Sequence, residues 1–190
     1  MKQQIRVLGI DDSPFKFGEG KALVVGTVMR VPNYLEGVMR TEVTVDGDDS
    51  TDKLLEMISG SRFKDQMKAI MIDGIALAGF NVIDIGRLNK ELGIPVLTIT
   101  RDEPDFDKMK AALRKYFVDW EARFSLVTRH ELRKVETEHK PLYVCGVGAD
   151  RAELEELIRL STVRGVVPEP IRMAHLIAAG MVRGESYGRS

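Results

Sequence analysis

Acidic residues follow strand-like apolar runs at three places in the sequence. The stretch "RVLGIDDSPF" (6–15) puts Asp11 and Asp12 after one such run, "TVDGDD" puts Asp46 after another, and "MIDG" puts Asp73 after a third. Carboxylates that are brought close together repel one another, and one of them takes up a proton unless a cation compensates. Mg²⁺ prefers oxygen ligands of this kind, often one or two carboxylates with water. If these strand ends meet, the residue types therefore indicate a Mg²⁺ or Mn²⁺ site.

Such a site could cleave phosphodiesters. Two divalent ions held about 3.5–4 Å apart can activate a water and stabilise the leaving oxygen. We expect Asp11, Asp46 and Asp73 to be the catalytic and metal-binding residues, with Asp12 and Asp49 as further candidate ligands. The competing interpretation is local structure, because aspartate is also a common turn residue and helix N-cap.

The apolar pattern predicts the elements that must position these carboxylates. If the first three strands are antiparallel neighbours, and a helical crossover makes the fourth parallel to the first, then strands one, three and four end at the same edge. Ligands bind at that carboxyl edge in α/β sheets. Strands are expected at 6–10, 22–31, 37–45, 69–74, 95–100 and 141–148, a β segment within 124–135, and helices at 48–61, 81–93 with Asn81 as N-cap, 104–120, 149–161 and 169–181.

This order of elements predicts one α/β domain spanning residues 1–190. Its mixed sheet would contain three antiparallel strands followed by β-α-β units, with helices on its faces. Residues 141–190 are expected to form a C-terminal αβ extension of the same domain, and "PFKFGEGK" (14–21) a glycine-punctuated loop.

The composition limits the classes of function. The net charge is −1, so nucleic-acid binding would require a local positive patch. The single cysteine, Cys145, excludes an internal disulfide and a metal-thiolate cluster, which suggests a reducing compartment. The start of the chain lacks a long apolar signal region, and no window approaches the roughly 18 uninterrupted apolar residues of a membrane span. We therefore expect a cytoplasmic protein with no membrane partner.

The combination of "GIDDSPF", "VDGDDSTD" and "IMIDGIALAGFNVIDI…GIPVLTITR" resembles an uncharacterised, largely archaeal family, domain of unknown function 99, over nearly the whole chain. That family is similar to endonuclease V. The resemblance implies a ribonuclease H-like fold, a Mg²⁺-dependent carboxylate site and cleavage near deaminated bases such as inosine. Gly9-Ile10-Asp11 matches the Gly-x-Asp motif of the first strand, Asp73-Gly74 matches the later Asp-Gly, and Gly93-Ile94-Pro95 matches the following Gly-Ile-Pro.

The motifs that contact nucleic acid match only in part. The Pro-Tyr-x-Pro-Gly loop of endonuclease V is echoed in part by residues 33–37, where Tyr34 fits and both prolines are absent. The candidates for its glutamate after the third strand are Asp46, Asp48 and Asp49, of which we choose Asp46, and Arg101 occupies a place comparable to that of its later lysine. The His-Pro-Arg segment after Asp-Gly is absent, and residues 78–81 stand nearby instead. The residues expected to contact nucleic acid are Tyr34, Arg30, Arg101 and Asn81.

Functions from different classes remain open. The first is a metal-dependent nuclease acting on RNA or DNA, with unpaired or modified bases as candidate targets. The second is a catalytically inactive nucleic-acid-binding or assembly module on the same fold, which the near-neutral charge and the missing motifs favour. A small-molecule site at the Gly146–Gly148 turn is a third interpretation, and the missing third glycine and P-loop lysine count against it.

Overall fold

A mixed sheet of seven strands forms the centre of the protein. The computed structural model describes residues 5–16 and 20–186, so residues 17–19 of the loop expected at 14–21 lie outside the described residues. The strands of this sheet are β1 (Arg6–Asp12), β2 (Lys21–Arg30), β3 (Tyr34–Thr44), β4 (Met67–Asp73), β7 (Val96–Thr100), β8 (Leu132–Val135) and β9 (Leu142–Val147), and β5 (Ala76–Leu77) pairs with β6 (Asn81–Val82). The helices are α1 (Ser50–Ser59), α2 (Ile85–Leu92), α3 (Phe106–Tyr116), α4 (Trp120–Thr128), α5 (Arg151–Ser161) and α6 (Glu169–Arg183), with a 3₁₀ turn at Lys64–Gln66.

The strand pairing confirms the predicted fold class. β1 and β2 are antiparallel, β2 and β3 are antiparallel, and β4 lies parallel to β1 on its other side. The sheet continues with β7 parallel to β4, and the complete order is β3-β2-β1-β4-β7-β9-β8. β9 is antiparallel to β7 and lies inside this sheet, so the residues after 141 complete the central sheet.

Apolar side chains cover both faces of the sheet. Because successive side chains of a strand point to opposite faces, Leu8 and Ile10 of β1 join one core, which α1 and α2 cover. Val7 joins the core on the opposite face, to which α5 and α6 contribute Leu154 and Ile171. Asp11 lies four residues after Val7 on β1, so its side chain points to the same face of the sheet, which α6 covers.

Most predicted ends shift by about one to three residues, and three elements differ more clearly from the sequence prediction. α2 begins at Ile85 and is capped by Asp84, because the amide of Asn81 is used in tertiary hydrogen bonds. The helix expected at 104–120 is interrupted at Phe117, where the backbone is extended and the ring packs edge-on against Phe80 with centroids 5.7 Å apart. The β segment expected within 124–135 is helical up to Thr128 and is a strand only at Leu132–Val135.

Two predicted helix boundaries are confirmed. Gly93 ends α2 with a φ of 69°, a left-handed conformation that favours glycine. Asp150 and Glu153 form the predicted capping box at the start of α5.

Within the described ranges, no helix is both long enough and apolar enough to cross a bilayer.

Candidate active site

Asp11 and Asp73 lie next to each other at the carboxyl edge of the sheet. β1 and β4 are adjacent and parallel, and their register pairs Ile10 with Ile72, so the next residue on each strand is an aspartate. Equivalent positions on neighbouring parallel strands point to the same face. The β1–β4 register therefore brings together two of the carboxylates that the sequence predicts to converge.

His175 of α6 contacts one of these two carboxylates, that of Asp11. Its Nδ1 lies 2.8 Å from Oδ2 of Asp11, while the backbone N–H of Asp12 donates to Oδ1 of the same carboxylate over 2.8 Å. Asp11 is only 4% exposed, so both of its oxygens are held in a fixed position by protein groups. His175 is partly exposed and thus connects this buried carboxylate to the surface.

Gly9 allows α6 to approach β1 closely enough for that contact. A Cβ atom at Gly9 would overlap the carbonyl group of Pro170 in the first turn of α6. Opposite Gly9 on β2, the hydroxyl of Thr27 donates to the same carbonyl oxygen over 2.7 Å. His175 lies one helical turn beyond the buried Ile171, on the same face of α6. The glycine of the Gly-x-Asp motif therefore acts through the packing of this helix.

The electrostatics of the site favour protonated carboxyls in the absence of a cation. Burial, together with the charges of Asp73 and Asp12, raises the pKa of Asp11 to about 9. Burial also raises the pKa of Asp12 and the pKa of Asp73, although the positive charge of Arg101 partly offsets the rise at Asp73. Arg101 follows β7, the strand that pairs with β4, and this places its charge beside Asp73. The three carboxyls are thus buried close together, and the positive charge of Arg101 compensates their negative charge only in part.

Asp12 is directed to the opposite face from Asp11 and holds the loop that covers this edge. Its Oδ2 accepts the backbone N–H of Ala78 over 2.5 Å. The carbonyl oxygen of Ala78 in turn accepts the backbone N–H of Asp46 over 2.8 Å. Asp12 therefore connects the carboxylate pair to residues 78–80 and, through them, to the turn after β3.

Asp46 was expected among the catalytic carboxylates, but its side chain is used in the turn after β3. Its Oδ1 accepts the backbone N–H of Phe80 over 2.8 Å, and its backbone has a φ of 55°. β2 lies between β3 and β1, so the ends of β3 and β1 are separated by two strand spacings, or about 10 Å. A shared edge collects the ends of strands, but only adjacent strands bring side chains into contact.

Asp49 and Asn81 support the same turn from inside. The amide of Asn81 is fully buried, accepts the N–H of Ser50, and donates to the carbonyl of Thr44 and to the carboxylate of Asp49. Asp49 also accepts hydrogen bonds from the N–H and hydroxyl of Thr44, and its pKa is lowered by these donors despite partial burial. Asn81 was expected to contact nucleic acid, but full burial removes it from any surface that a ligand can reach.

Tyr34 and Arg30 lie at the opposite edge of the sheet. Arg30 pairs with Arg6 at the start of β1, five residues before Asp11, which corresponds to about 17 Å along the strand. The guanidinium of Arg30 is bound by Glu36 at 2.6 Å, and Tyr34 is 61% exposed at the tip of the β2–β3 hairpin. Because β2 runs antiparallel to β1, this hairpin is directed away from the carboxylates, and of the expected nucleic-acid contacts only Arg101 lies at the site.

The donors at this edge suit a hard divalent cation that retains water. Within the described part of the chain, no three His, Cys, Asp or Glu side chains form a preassembled metal-binding cluster. Asp11 and Asp73 nevertheless supply two carboxylates, which is the number that Mg²⁺ commonly takes from a protein, the remaining positions being held by water and phosphate. The raised pKa values of Asp11 and Asp73 fit the same chemistry, since a bound cation would compensate the repulsion between their negative charges.

Sequence spacing alone does not identify His175. It is 164 residues from Asp11, and the three histidines of the chain show no ligand-like spacing. The only local signal is its place one turn after Ile171 on an amphipathic helix, which predicts a face directed to the core but no particular partner.

Comparison with known proteins identifies the family of this chain. Residues 3–182 match the endonuclease dU family. A UPF0215 protein of Methanothermobacter thermautotrophicus is 44% identical over 99% of this chain and 93% of its own length. A crystal structure of a protein of unknown function from Archaeoglobus fulgidus is 37% identical, with a TM-score of 0.85 over 94% of this chain and 98% of that one.

Two solved structures of endonuclease V share the fold at low sequence identity. The catalytic domain of human endonuclease V has a TM-score of 0.63 at 16% identity, covering 96% of this chain and 84% of that one. Endonuclease V of Ciona intestinalis, solved with DNA containing an inosine followed by a ribo-adenosine, has a TM-score of 0.62 at 14% identity, covering 95% and 87%. The fold is therefore that of endonuclease V, which confirms the ribonuclease H-like expectation, and the chain belongs to the endonuclease dU family.

Proposed function

We propose that this protein is a divalent-metal-dependent endonuclease that hydrolyses phosphodiester bonds of nucleic acid at the edge formed by Asp11 and Asp73. The observation that carries the proposal is the buried group of Asp11, Asp12 and Asp73. The negative charges of their ionised forms repel one another unless a cation compensates them. A stable protein rarely retains such a group without using it, because perturbed carboxyls concentrate at functional sites.

Asp11 and Asp73 would hold Mg²⁺ or Mn²⁺, and Asp12 would support them by holding the loop at Ala78. When bound, the ion would supply charge compensation and Lewis-acid polarisation of the phosphodiester. Asp11 fixes the imidazole of His175 through Nδ1, which leaves Nε2 as the nitrogen that can take or give a proton at the reacting group. Arg101 would bind a phosphate oxygen beside Asp73, because a guanidinium suits phosphate geometry.

The substrate to test first is DNA that contains deoxyuridine, because the family to which the chain belongs is named endonuclease dU. Inosine-containing DNA is the second, because endonuclease V of Ciona intestinalis was solved with such DNA. RNA and undamaged DNA should be tested alongside these two substrates, since the carboxylates at this edge contact a phosphodiester and do not by themselves select a base.

The test is cleavage of end-labelled oligonucleotides with Mg²⁺ or Mn²⁺ by the wild type, Asp73→Asn and Asp48→Asn. Asp48 is an exposed aspartate near the same edge and serves as the matched control. We expect the wild type and Asp48→Asn to cut at least one substrate, and Asp73→Asn to lose at least about 100-fold in rate, the order of about 3 kcal/mol of transition-state stabilisation. Oligonucleotide binding without cleavage under any metal would instead support the inactive binding module.

A further inference from the structure

Helices α3 and α4 form an exposed surface on which cations and aromatic rings alternate. Nζ of Lys110 lies 5.4 Å from the ring centroid of Phe124, and Cζ of Arg114 lies 5.6 Å from that of Trp120. In each pair the cation comes from α3 and the ring from α4, so two neighbouring cation–π contacts join the helices. We call this surface the basic-aromatic ridge, made of Lys110, Arg114, Lys115, Tyr116, Trp120 and Phe124.

The cations of the ridge are available to a ligand. Lys110, Arg114 and Lys115 are exposed, and each lies over an aromatic ring. Among the described residues, none of the three forms a salt bridge with a carboxylate. Tyr116, at the end of α3, is 67% exposed. The ridge is thus a positive and aromatic patch on a chain whose net charge is −1. Trp120 and Phe124 are half-buried, and rings that are at least partly accessible beside cations are suited to stacking with bases while the cations contact phosphates.

Helix α4, which carries part of the ridge, contacts the loop that Asp12 holds at the carboxylate edge. Arg123 of α4 donates to the carbonyl oxygens of Asp46, Gly47 and Phe80 at 3.1, 2.7 and 2.7 Å. Phe80 lies only two residues from Ala78, whose N–H is bound by Asp12. The helices that carry the ridge are therefore fixed through Arg123 to the loop at residues 78–80, which Asp12 holds.

We propose that the basic-aromatic ridge binds the single-stranded segment of the nucleic acid that flanks the bond to be cut. The proposal rests on the proposed function for the identity of the polymer, and it adds where the strand lies. Lys110, Arg114 and Lys115 contact phosphates, and bases stack on Tyr116 and Trp120. A duplex, whose base faces are covered, binds this surface more weakly than a single strand.

The first test measures binding without catalysis, in EDTA, with fluorescein-labelled twelve-residue oligodeoxythymidylate and oligouridylate followed by anisotropy. Replacing Lys110, Arg114 and Lys115 together by alanine is expected to weaken binding of at least one oligonucleotide by about tenfold or more. The negative slope of log K against log salt is expected to become shallower by about 2, since each phosphate contact contributes about 0.7 to its magnitude on a single strand. The matched control replaces Arg62, Lys64 and Lys68 by alanine. These cations precede or begin β4, at the edge opposite Asp73, and Arg62 also lies over an aromatic ring, that of Phe63. Equal affinity and equal salt slope in the wild type and the ridge variant would overturn the proposal.

The second test uses Trp120, the only tryptophan of the chain, as a built-in reporter. Binding of either unlabelled oligonucleotide is expected to quench its fluorescence, and Trp120→Ala to weaken binding of the labelled oligonucleotide by about 5- to 100-fold. An unchanged emission at saturation would mean that the strand lies elsewhere.

The outcome for the ridge is separable from that for the carboxylates. Asp73→Asn should bind oligonucleotides as the wild type does, because it lies outside the ridge. Binding through the ridge with no cleavage under any metal would refute the proposed nuclease while supporting the ridge. Cleavage that the ridge variant retains at wild-type KM would refute the ridge alone.

Discussion

Replacing Asp11 by asparagine should stabilise the protein in the absence of metal, by an amount that depends on pH. The side chain is 4% exposed, and burial with the charges of Asp73 and Asp12 raises its pKa to about 9 from an ordinary value of 3.8. Asparagine has nearly the same shape and can keep the contact from the N–H of Asp12. The substitution therefore removes the cost of keeping this buried carboxyl protonated, with little change in packing.

The sign and size of the effect follow from proton linkage. Between about pH 4 and pH 9 the folded protein holds a proton on Asp11 that the unfolded chain has released, so the free energy of unfolding falls as the pH rises through this range. At pH 7, which is roughly three pH units above the ordinary pKa, this proton uptake lowers the free energy of unfolding by about 1.4 kcal/mol per unit, or about 4 kcal/mol. Because the amide of asparagine also loses hydration on burial, we expect a net gain of about 2–4 kcal/mol. For a chain of this length, this raises Tm by about 5–15 °C.

The assay is thermal and urea unfolding of the wild type, Asp11→Asn and the surface control Asp48→Asn in EDTA, at several values from pH 4 to pH 9. The gain from Asp11→Asn should be near zero at pH 4 and grow towards pH 9, whereas Asp48→Asn should stay within about 0.5 kcal/mol of the wild type throughout. Added Mn²⁺ should stabilise the wild type and leave Asp11→Asn unchanged. A gain that does not vary with pH, or a loss of stability at pH 8, would refute the account of Asp11 as an uncompensated buried carboxyl.

Three further predictions concern the same site and its supports. Binding of Mn²⁺ at pH 7 should release about one proton per chain, mainly from Asp11, seen in calorimetry as a heat that varies with the ionisation enthalpy of the buffer; a heat independent of the buffer would contradict the raised pKa. Gly9→Ala should cost about 1–3 kcal/mol and weaken Mn²⁺ binding, because the new methyl group displaces α6 and with it His175; unchanged metal affinity would show that α6 does not position the site. Asn81→Ala should lower the free energy of unfolding by about 1–3 kcal/mol, because it leaves the buried N–H of Ser50 without its partner and removes one donor from the carbonyl of Thr44; nucleic-acid affinity lost without any loss of stability would instead return Asn81 to the binding surface.

The elements could be predicted from the sequence because their signals are local. Two β-rich runs and the short hairpin connection between them define β2 and β3, and Gly93 and Asp150 show the end of one helix and the start of another. The boundaries that failed depend on distant partners. Asn81 looks like a helix N-cap, but it is drawn into hydrogen bonds with Ser50 and Thr44, and the break at Phe117 accompanies its packing on Phe80.

By itself, the sequence determined the mixed sheet and the presence of aspartates at its carboxyl edge, since strand direction follows from hairpins and crossovers. Only the tertiary structure decided which of these aspartates meet. Asp11 and Asp73 meet because β1 and β4 are adjacent, whereas β2 separates Asp46 from them. The partner of Asp11 was also decided there, because His175 reaches it only through the close approach of α6 to β1 at Gly9, a contact between segments about 160 residues apart that no local pattern encodes.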